Sequence, residues 1–332
     1  MKVAVLSPSS RAASMFPKVY DLGIERMREL ALEPVEFPTT RAPIATPEER
    51  ARDVVGAFAD PTIEVVLAAI GGDDQLKVLP FLDPDVLRAN PKPFFGYSDN
   101  TNLHVYLWNL GVQSVHGGSV LVELGRPSGM HPLFRESFER ALRGGEWELP
   151  QPEEYSDVPA SDWREFDPSA TPKMLPAEPW SWHGASRAVT GKTWGGNLEI
   201  LDFHLRAARW MQPNDAYAGC IFLGETSEEM PDADYVYRVL MCMGERGLLQ
   251  QFAGVLWARP KASNLGGTQG LEERDAFVRA QRDAVLRAFS EYAPDTPLVF
   301  GVDFGHTDPQ LLIPYGGKVS LDPAARRIVV TY

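Results

Sequence analysis

Residues 63–110 read IEVVLAAIGGDDQLKVLPFLDPDVLRANPKPFFGYSDNTNLHVYLWNL, and this stretch decides the fold class. Residues 63–70 are almost wholly apolar and rich in β-branched side chains, the pattern of a strand covered on both faces. Gly71-Gly72-Asp73-Asp74 ends that strand. Asp83-Pro84 opens a short helix that stops near Asn90-Pro91. Residues 93–97 form a second strand. Residues 100–110 follow as a helix, stopped by Gly111 as a left-handed cap. Strands and helices alternating in this way imply a mostly parallel sheet with helices on both faces, an α/β fold.

Working outward, residues 3–6 are a short buried strand running into the loop Ser7-Pro8-Ser9-Ser10. Val19, Leu22, Met27 and Leu30 fall at roughly helical spacing. Thr46-Pro47-Glu48-Glu49 is a capping box with proline at the first helical position, opening a helix through Phe58. Phe134, Phe138 and Leu142 are spaced by four, and Gly144-Gly145 closes that helix. These elements delimit a first domain over residues 1–149. The next stretch holds seven prolines between Pro150 and Pro179, many acidic residues and little periodicity. It reads as a linker or a long wrapping loop, placed at 150–184. Regular structure resumes near Ala188. Strands are expected at 220–223, 253–258 and 298–302, helices at 233–245 and 272–292, and a hairpin over 318–331 turning at Asp322-Pro323. This is the second domain, 185–332.

The bulk properties narrow the function. The chain has 332 residues and a net charge of −13, the wrong sign for coating a nucleic acid polymer. It has no basic amphipathic stretch for a membrane surface and no run approaching 18 apolar residues, a membrane span's length. The N-terminus lacks the apolar core of a secretion signal. Cys220 and Cys242 both sit in apolar context and are expected as buried, reduced thiols. No Cys/His spacing suggests a metal site. A cytoplasmic protein acting on a small molecule without metal or cofactor is the expectation.

Three residues could carry chemistry. Ser98 follows the strand at 93–97 directly and precedes a helix, with glycine two residues before it. That junction is the geometry of a nucleophile elbow, although the second glycine of G-x-S-x-G is missing. The alternative makes Ser98 or Asp99 an ordinary helix N-cap. Glu225 follows the apolar strand CIFLG, and a carboxylate there must be paired; otherwise it belongs to a surface loop with Glu228 and Glu229. His306 stands in GVDFGHTDPQ on an irregular loop after a strand, while His104 and His204 have the context of packed or surface histidines. Serine, glutamate and histidine in this chain order match one known triad order. Gly71-Gly72 ends a buried strand, as an oxyanion or phosphate cradle or as a plain tight turn.

The segments IGGDDQLKVLPFLDPDVLRANPKPFFGYSDNTNL, VTGKTWGGNLEIL, IFLGE and GVDFGHTDPQLLIPYGG resemble the serine LD-carboxypeptidases, most closely their microcin C immunity branch. The resemblance implies a flavodoxin-like N-terminal domain and a smaller α/β C-terminal domain. It implies Ser98 as nucleophile, His306 as base and Glu225 as its orienting acid, with the triad formed between the domains. Asp99 and the Gly71-Gly72 turn, chiefly Gly72, would supply the oxyanion hole. Gly71, Asp73, Asn197 and Trp182 (Trp180 as second choice) would contact substrate. The resemblance also implies a homodimer without metal. Immunity-type members cut the amide between an acidic aminoacyl group and a nucleotide-like moiety. Carboxypeptidase-type members release D-alanine from muropeptide tetrapeptides. Glu228 and Glu229 stand where related proteins can carry basic residues, an arrangement that would repel a phosphate.

Overall fold

The computed structural model describes residues 1–263 and 270–332. Its first sheet contains five parallel strands, β1 (Lys2–Leu6), β2 (Glu33–Glu36), β3 (Val65–Ala68), β4 (Phe94–Gly96) and β5 (Ser114–His116), in spatial order β5-β4-β3-β1-β2. This is the flavodoxin-like order, with the direction of winding reversing between β1 and β3. Alternation of side chains explains why both faces are covered. Val3, Val5, Val65, Leu67 and Phe95 pack with Val19, Ile24 and Met27 of the helix Pro17–Glu29. Ala4, Leu6, Val66, Ala68 and Phe94 turn the other way, onto Val54 and Phe58 of the helix Pro47–Ala59. The capping box that opens this second helix is present, with Thr46 and Glu49 bonding each other's backbone N–H.

The remaining strands are β6 (Glu146–Glu148), β7 (Glu154–Tyr155), β8 (Leu175–Pro176), β9 (Ser181–His183), β10 (Val189–Asn197), β11 (Ile221–Glu225), β12 (Gly254–Ala258), β13 (Leu298–Val302), β14 (Ile313–Tyr315), β15 (Lys318–Asp322) and β16 (Arg327–Thr331). Strands β10 to β13 form the parallel centre of a second sheet. Antiparallel β15, β16 and β6 extend it on one side and β9 on the other. Trp194, Phe222 and Trp257 lie fully buried in its core, with the helices Ala233–Glu245 and Leu271–Tyr292 packed against each other.

Sheet membership crosses the sequence divisions at 149 and 184. Strand β6 precedes the first boundary yet pairs with β16, and β9 lies in the proline-rich stretch yet pairs with β13. Strand β14 returns to the first sheet and pairs antiparallel with β5. Each of these short strands covers a sheet edge, which hydrophobic patterning does not reveal. The proline-rich stretch wraps against both lobes, with Phe166 and Trp163 packed into the first core and the segments around Asp157 and Trp180 fixed to the second. Trp180 is buried with its indole N–H donated to Asp303, and Asp157 accepts the Ala262 N–H and pairs with Arg274. Cys220 is buried as expected, but Cys242 is exposed. It lies on the solvent side of its helix, where flanking apolar letters give a false impression of burial. No helix among the described residues is long and apolar enough to cross a membrane.

Candidate active site

Ser98 sits where β4 ends, with a backbone φ of +61°. A positive φ is costly for a residue with a side chain and marks a sharp, strained turn. A 3₁₀ turn, Ser98–Asn100, leads into the helix Thr101–Asn109. The capping alternative is not realised, because that helix has no side-chain cap. Asp99 instead reaches back to the glycine turn. Its Oδ2 accepts the N–H groups of Asp74 at 3.1 Å and Gln75 at 2.9 Å, and its Oδ1 accepts Asn102 Nδ2 at 2.8 Å. Burial pushes the Asp99 carboxyl up to about 6.

The two glycines are required for space rather than for φ. A Cβ on Gly71 would lie 2.8 Å from Ser98 Cβ, 3.1 Å from its Oγ and 3.4 Å from the Asp99 nitrogen. A Cβ on Gly72 would lie 2.8 Å from the carbonyl oxygen of Ser9. The backbone of this turn therefore presses against the serine, and Asp73 lies exposed beyond it.

Glu225 closes β11 and is 0% exposed. Its Oε2 accepts Nδ1–H of His306 at 2.6 Å, which leaves Nε2 as the free ring nitrogen. Burial alone would lower the basicity of His306, but Glu225 and then Glu228 outweigh it and raise the imidazole to about 9. Nε2 has no hydrogen-bond partner among the described residues, and Glu228 Oε2 stands 3.5 Å from it. Ser98 Oγ likewise has no hydrogen bond among the described residues. The two sides meet through Tyr97, whose ring lies edge-on to the His306 ring with centroids 5.0 Å apart. Catalytic hydrogen bonds are often unmade in a substrate-free enzyme.

Several contacts hold the histidine loop against the first lobe. Gln310 accepts the Gly118 N–H at 2.7 Å and donates to the carbonyl of Gly305 at 2.8 Å. Arg126 pairs with Asp308 at 2.7 Å, and Ser137 accepts the Leu312 N–H at 2.8 Å. Asn197 ends β10 in register with Glu225 and donates its backbone N–H to Thr101 Oγ1 at 3.0 Å. Its Oδ1 caps the next helix through Ile200, leaving Nδ2 buried and without a partner among the described residues. Asn197 thus joins the site, whereas Trp182 lies half-buried on β9 opposite Val299, packed against the second core.

Four residues on this side of the site escaped the sequence reading. Tyr97 donates its hydroxyl to Glu123 at 2.8 Å, and Ser119 donates to the other carboxylate oxygen at 2.8 Å. Burial raises Glu123 to about 7. Its place in the apolar run Val120-Leu121-Val122-Glu123-Leu124 was a legible signal of a buried acid. Lys261 donates to the carbonyl of His306 at 3.3 Å, and burial lowers its basicity. Nothing in its sequence context marks it.

The model of the LD-carboxypeptidase N-terminal domain matches residues 3–117, and that of the LD-carboxypeptidase C-terminal domain matches residues 190–321. The chain belongs to the LD-carboxypeptidase family. Membership makes it a hydrolase of the serine carboxypeptidase kind. The chain is 24% identical to the microcin C7 self-immunity protein MccF of Escherichia coli, over 86% of this chain and 79% of that protein. It is 26% identical to a probable murein peptide carboxypeptidase of Bacillus subtilis, over 85% of this chain and 76% of the relative. The solved structure of MccF in complex with aspartyl sulfamoyl adenosine superposes with a TM-score of 0.84 at 23% identity, covering 100% of this chain and 96% of that one. This likeness establishes the shared fold.

Two outcomes follow from the geometry. Gly71→Ala is expected to lower kcat for amide hydrolysis by about 100-fold through displacement of Ser98, the scale expected for misplacing a reacting group, with circular dichroism unchanged; wild-type turnover would contradict the packing. His306 must be neutral to accept a proton, so kcat/KM is expected to rise with pH until about 9. A profile already flat above pH 7 would contradict the two-carboxylate environment.

Proposed function

We propose that this chain hydrolyses an amide through an acyl-enzyme, with Ser98 as nucleophile, His306 as general base and Glu225 as the group that orients it. The observation that carries this reading is the 2.6 Å bond from His306 Nδ1 to a fully buried Glu225. It fixes the tautomer whose Nε2 is free to accept a proton, and Tyr97, the chain neighbour of the strained Ser98, packs edge-on against that ring. Ser98 Oγ attacks the carbonyl and passes its proton to Nε2. The backbone N–H groups of Asp99 and Gly72 receive the developing oxyanion, a role supported by the close approach of the glycine turn to Ser98. Nε2 then protonates the leaving amine, and water cleaves the ester. Asn197 Nδ2, buried beside Glu225 and unpaired among the described residues, is the side-chain donor offered to substrate.

The substrate reading is the amide between an acidic aminoacyl group and a nucleotide-like moiety. It is supported by similarity to MccF, whose complex contains aspartyl sulfamoyl adenosine. A second reading, release of D-alanine from a muropeptide tetrapeptide, is supported by similarity to the probable murein peptide carboxypeptidase of Bacillus subtilis.

Incubation with glutamyl- or aspartyl-sulfamoyl adenosine and with a muropeptide tetrapeptide, followed by mass spectrometry, separates the two. Release of the nucleoside supports the first reading and release of D-alanine the second. In either case Ser98→Ala is expected to reduce turnover by about 10⁴-fold or more. A Ser98→Ala variant that keeps most of its activity would overturn the assignment.

A further inference from the structure

Tyr97 touches both halves of the triad. It precedes Ser98 in the chain, and its ring lies edge-on to the His306 imidazole with centroids 5.0 Å apart. Tyr97 is buried, so its hydroxyl needs a partner inside the protein. That partner is Glu123, whose Oε1 accepts the hydroxyl at 2.8 Å. The other carboxylate oxygen accepts the Ser119 hydroxyl at 2.8 Å, and Ser119 Oγ in turn accepts the Val122 N–H at 3.0 Å. Both oxygens of a buried acid are thus committed, one to its own turn and one to the residue before the serine.

The turn that carries Glu123 is itself firmly seated. Residues Val120–Leu124 form a single π-helical turn, an uncommon conformation that recurs at functional sites. The N–H groups of Val120 and Leu121 both bond to the carbonyl of Ala69, at 3.0 and 3.1 Å, two residues before Gly71. Gly23 stands in the interior of the helix Pro17–Glu29, where glycine is an unfavourable choice. A Cβ there would run into the Val120 carbonyl oxygen, so the helix gives up stability at residue 23 to let this turn approach. The residue before the serine, the glycine turn and the histidine ring are all referenced to the one element.

We propose that Glu123 is a positioning residue: by holding the Tyr97 hydroxyl it fixes the ring that sets His306 against Ser98. The serine and the histidine come from different sheets, and His306 Nε2 has no hydrogen bond among the described residues, so their alignment depends on what packs beside them. A phenol anchored at its hydroxyl cannot swing out of that place without leaving a buried carboxylate oxygen unpaired. A small misplacement of two reacting groups costs far more in turnover than in substrate affinity. Glu123 acts through Tyr97 and touches neither reacting atom. The assignment rests on the Ser98–Glu225–His306 reading given above.

Three variants test it. Tyr97→Phe keeps the ring and removes the tether, Glu123→Leu removes the acceptor, and Glu123→Gln keeps an oxygen for the hydroxyl. The readouts are kcat and KM on whichever of the two substrates named earlier is cleaved, and the rate of fluorophosphonate labelling of Ser98, with thermal denaturation to show that each variant is folded. Tyr97→Phe and Glu123→Leu are each expected to lower kcat and the labelling rate by about tenfold to 100-fold, with KM within about twofold of wild type. The pH midpoint of kcat/KM is expected to stay where it is, because the base itself is unchanged. Combining the two changes is expected to cost no more than either alone, since both remove the same bond. Glu123→Gln is expected to stay within about threefold of wild type, because the tether survives. Wild-type kcat and labelling rate in Tyr97→Phe, a loss in Glu123→Gln as large as in Glu123→Leu, or a change confined to KM would overturn the proposal. Absence of labelling in folded wild-type protein, together with no turnover of either substrate, would instead overturn the Ser98 reading and the positioning role with it.

Discussion

A carboxylate with no exposed surface has to be paired, and in this protein the pairing of Glu225 organises everything around it. The only hydrogen bond to Glu225 among the described residues comes from His306, on a different element of the same sheet. Satisfying that bond brings the loop after β13 over the end of β11. It also demands glycine at 305, where a Cβ would lie 2.9 Å from Ala258 Cβ and 3.3 Å from Glu225 Cβ. The histidine acquires its tautomer, its orientation and its raised basicity from that one contact and from Glu228 beyond it.

The two sheets meet at their carboxyl ends, the usual place for ligands in parallel α/β folds. One supplies Ser98 and the glycine turn after β4 and β3; the other supplies Asn197, Glu225 and His306 after β10, β11 and β13. The chain enforces this meeting covalently. The segment that carries His306 runs directly into β14, which pairs with β5 of the first sheet. Gln310, Asp308 and Leu312 are bonded to first-lobe residues along the way. Ser98 and His306 are therefore positioned by a continuous stretch of backbone pairing rather than by a loose contact between domains.

Six strands of the two parallel cores, β1, β3, β4, β11, β12 and β13, were legible because they are short apolar runs covered on both faces, whereas β2, β5 and β10, which mix polar residues or glycines into the strand, were not assigned. The stretch from Ile63 to Leu110 and the ends of CIFLG and LVFGV already located the serine, the glutamate and the histidine. What escaped were features without a local signature. Strands β9 and β14 are short edge strands whose partners are distant in sequence. Trp180 carries the same letter as Trp182, and only the structure shows that the first is fixed to Asp303 while the second lies half-buried on the edge strand. Lys261 and the Tyr97–Glu123 pair depend on how the lobes close, which no spacing encodes. The acidic letters at 228 and 229 were visible, but the approach of Glu228 to Nε2 was not.

The central claim is that Ser98 is the activated nucleophile and His306 its base. Treating the folded protein with a fluorophosphonate and mapping the adduct by peptide mass spectrometry tests this most directly. The account predicts a single adduct on the peptide containing Ser98, formed at least about 100-fold more slowly in His306→Gln, on the scale of losing a general base. An adduct on another serine, or labelling of Ser98 at an unchanged rate without His306, would contradict it.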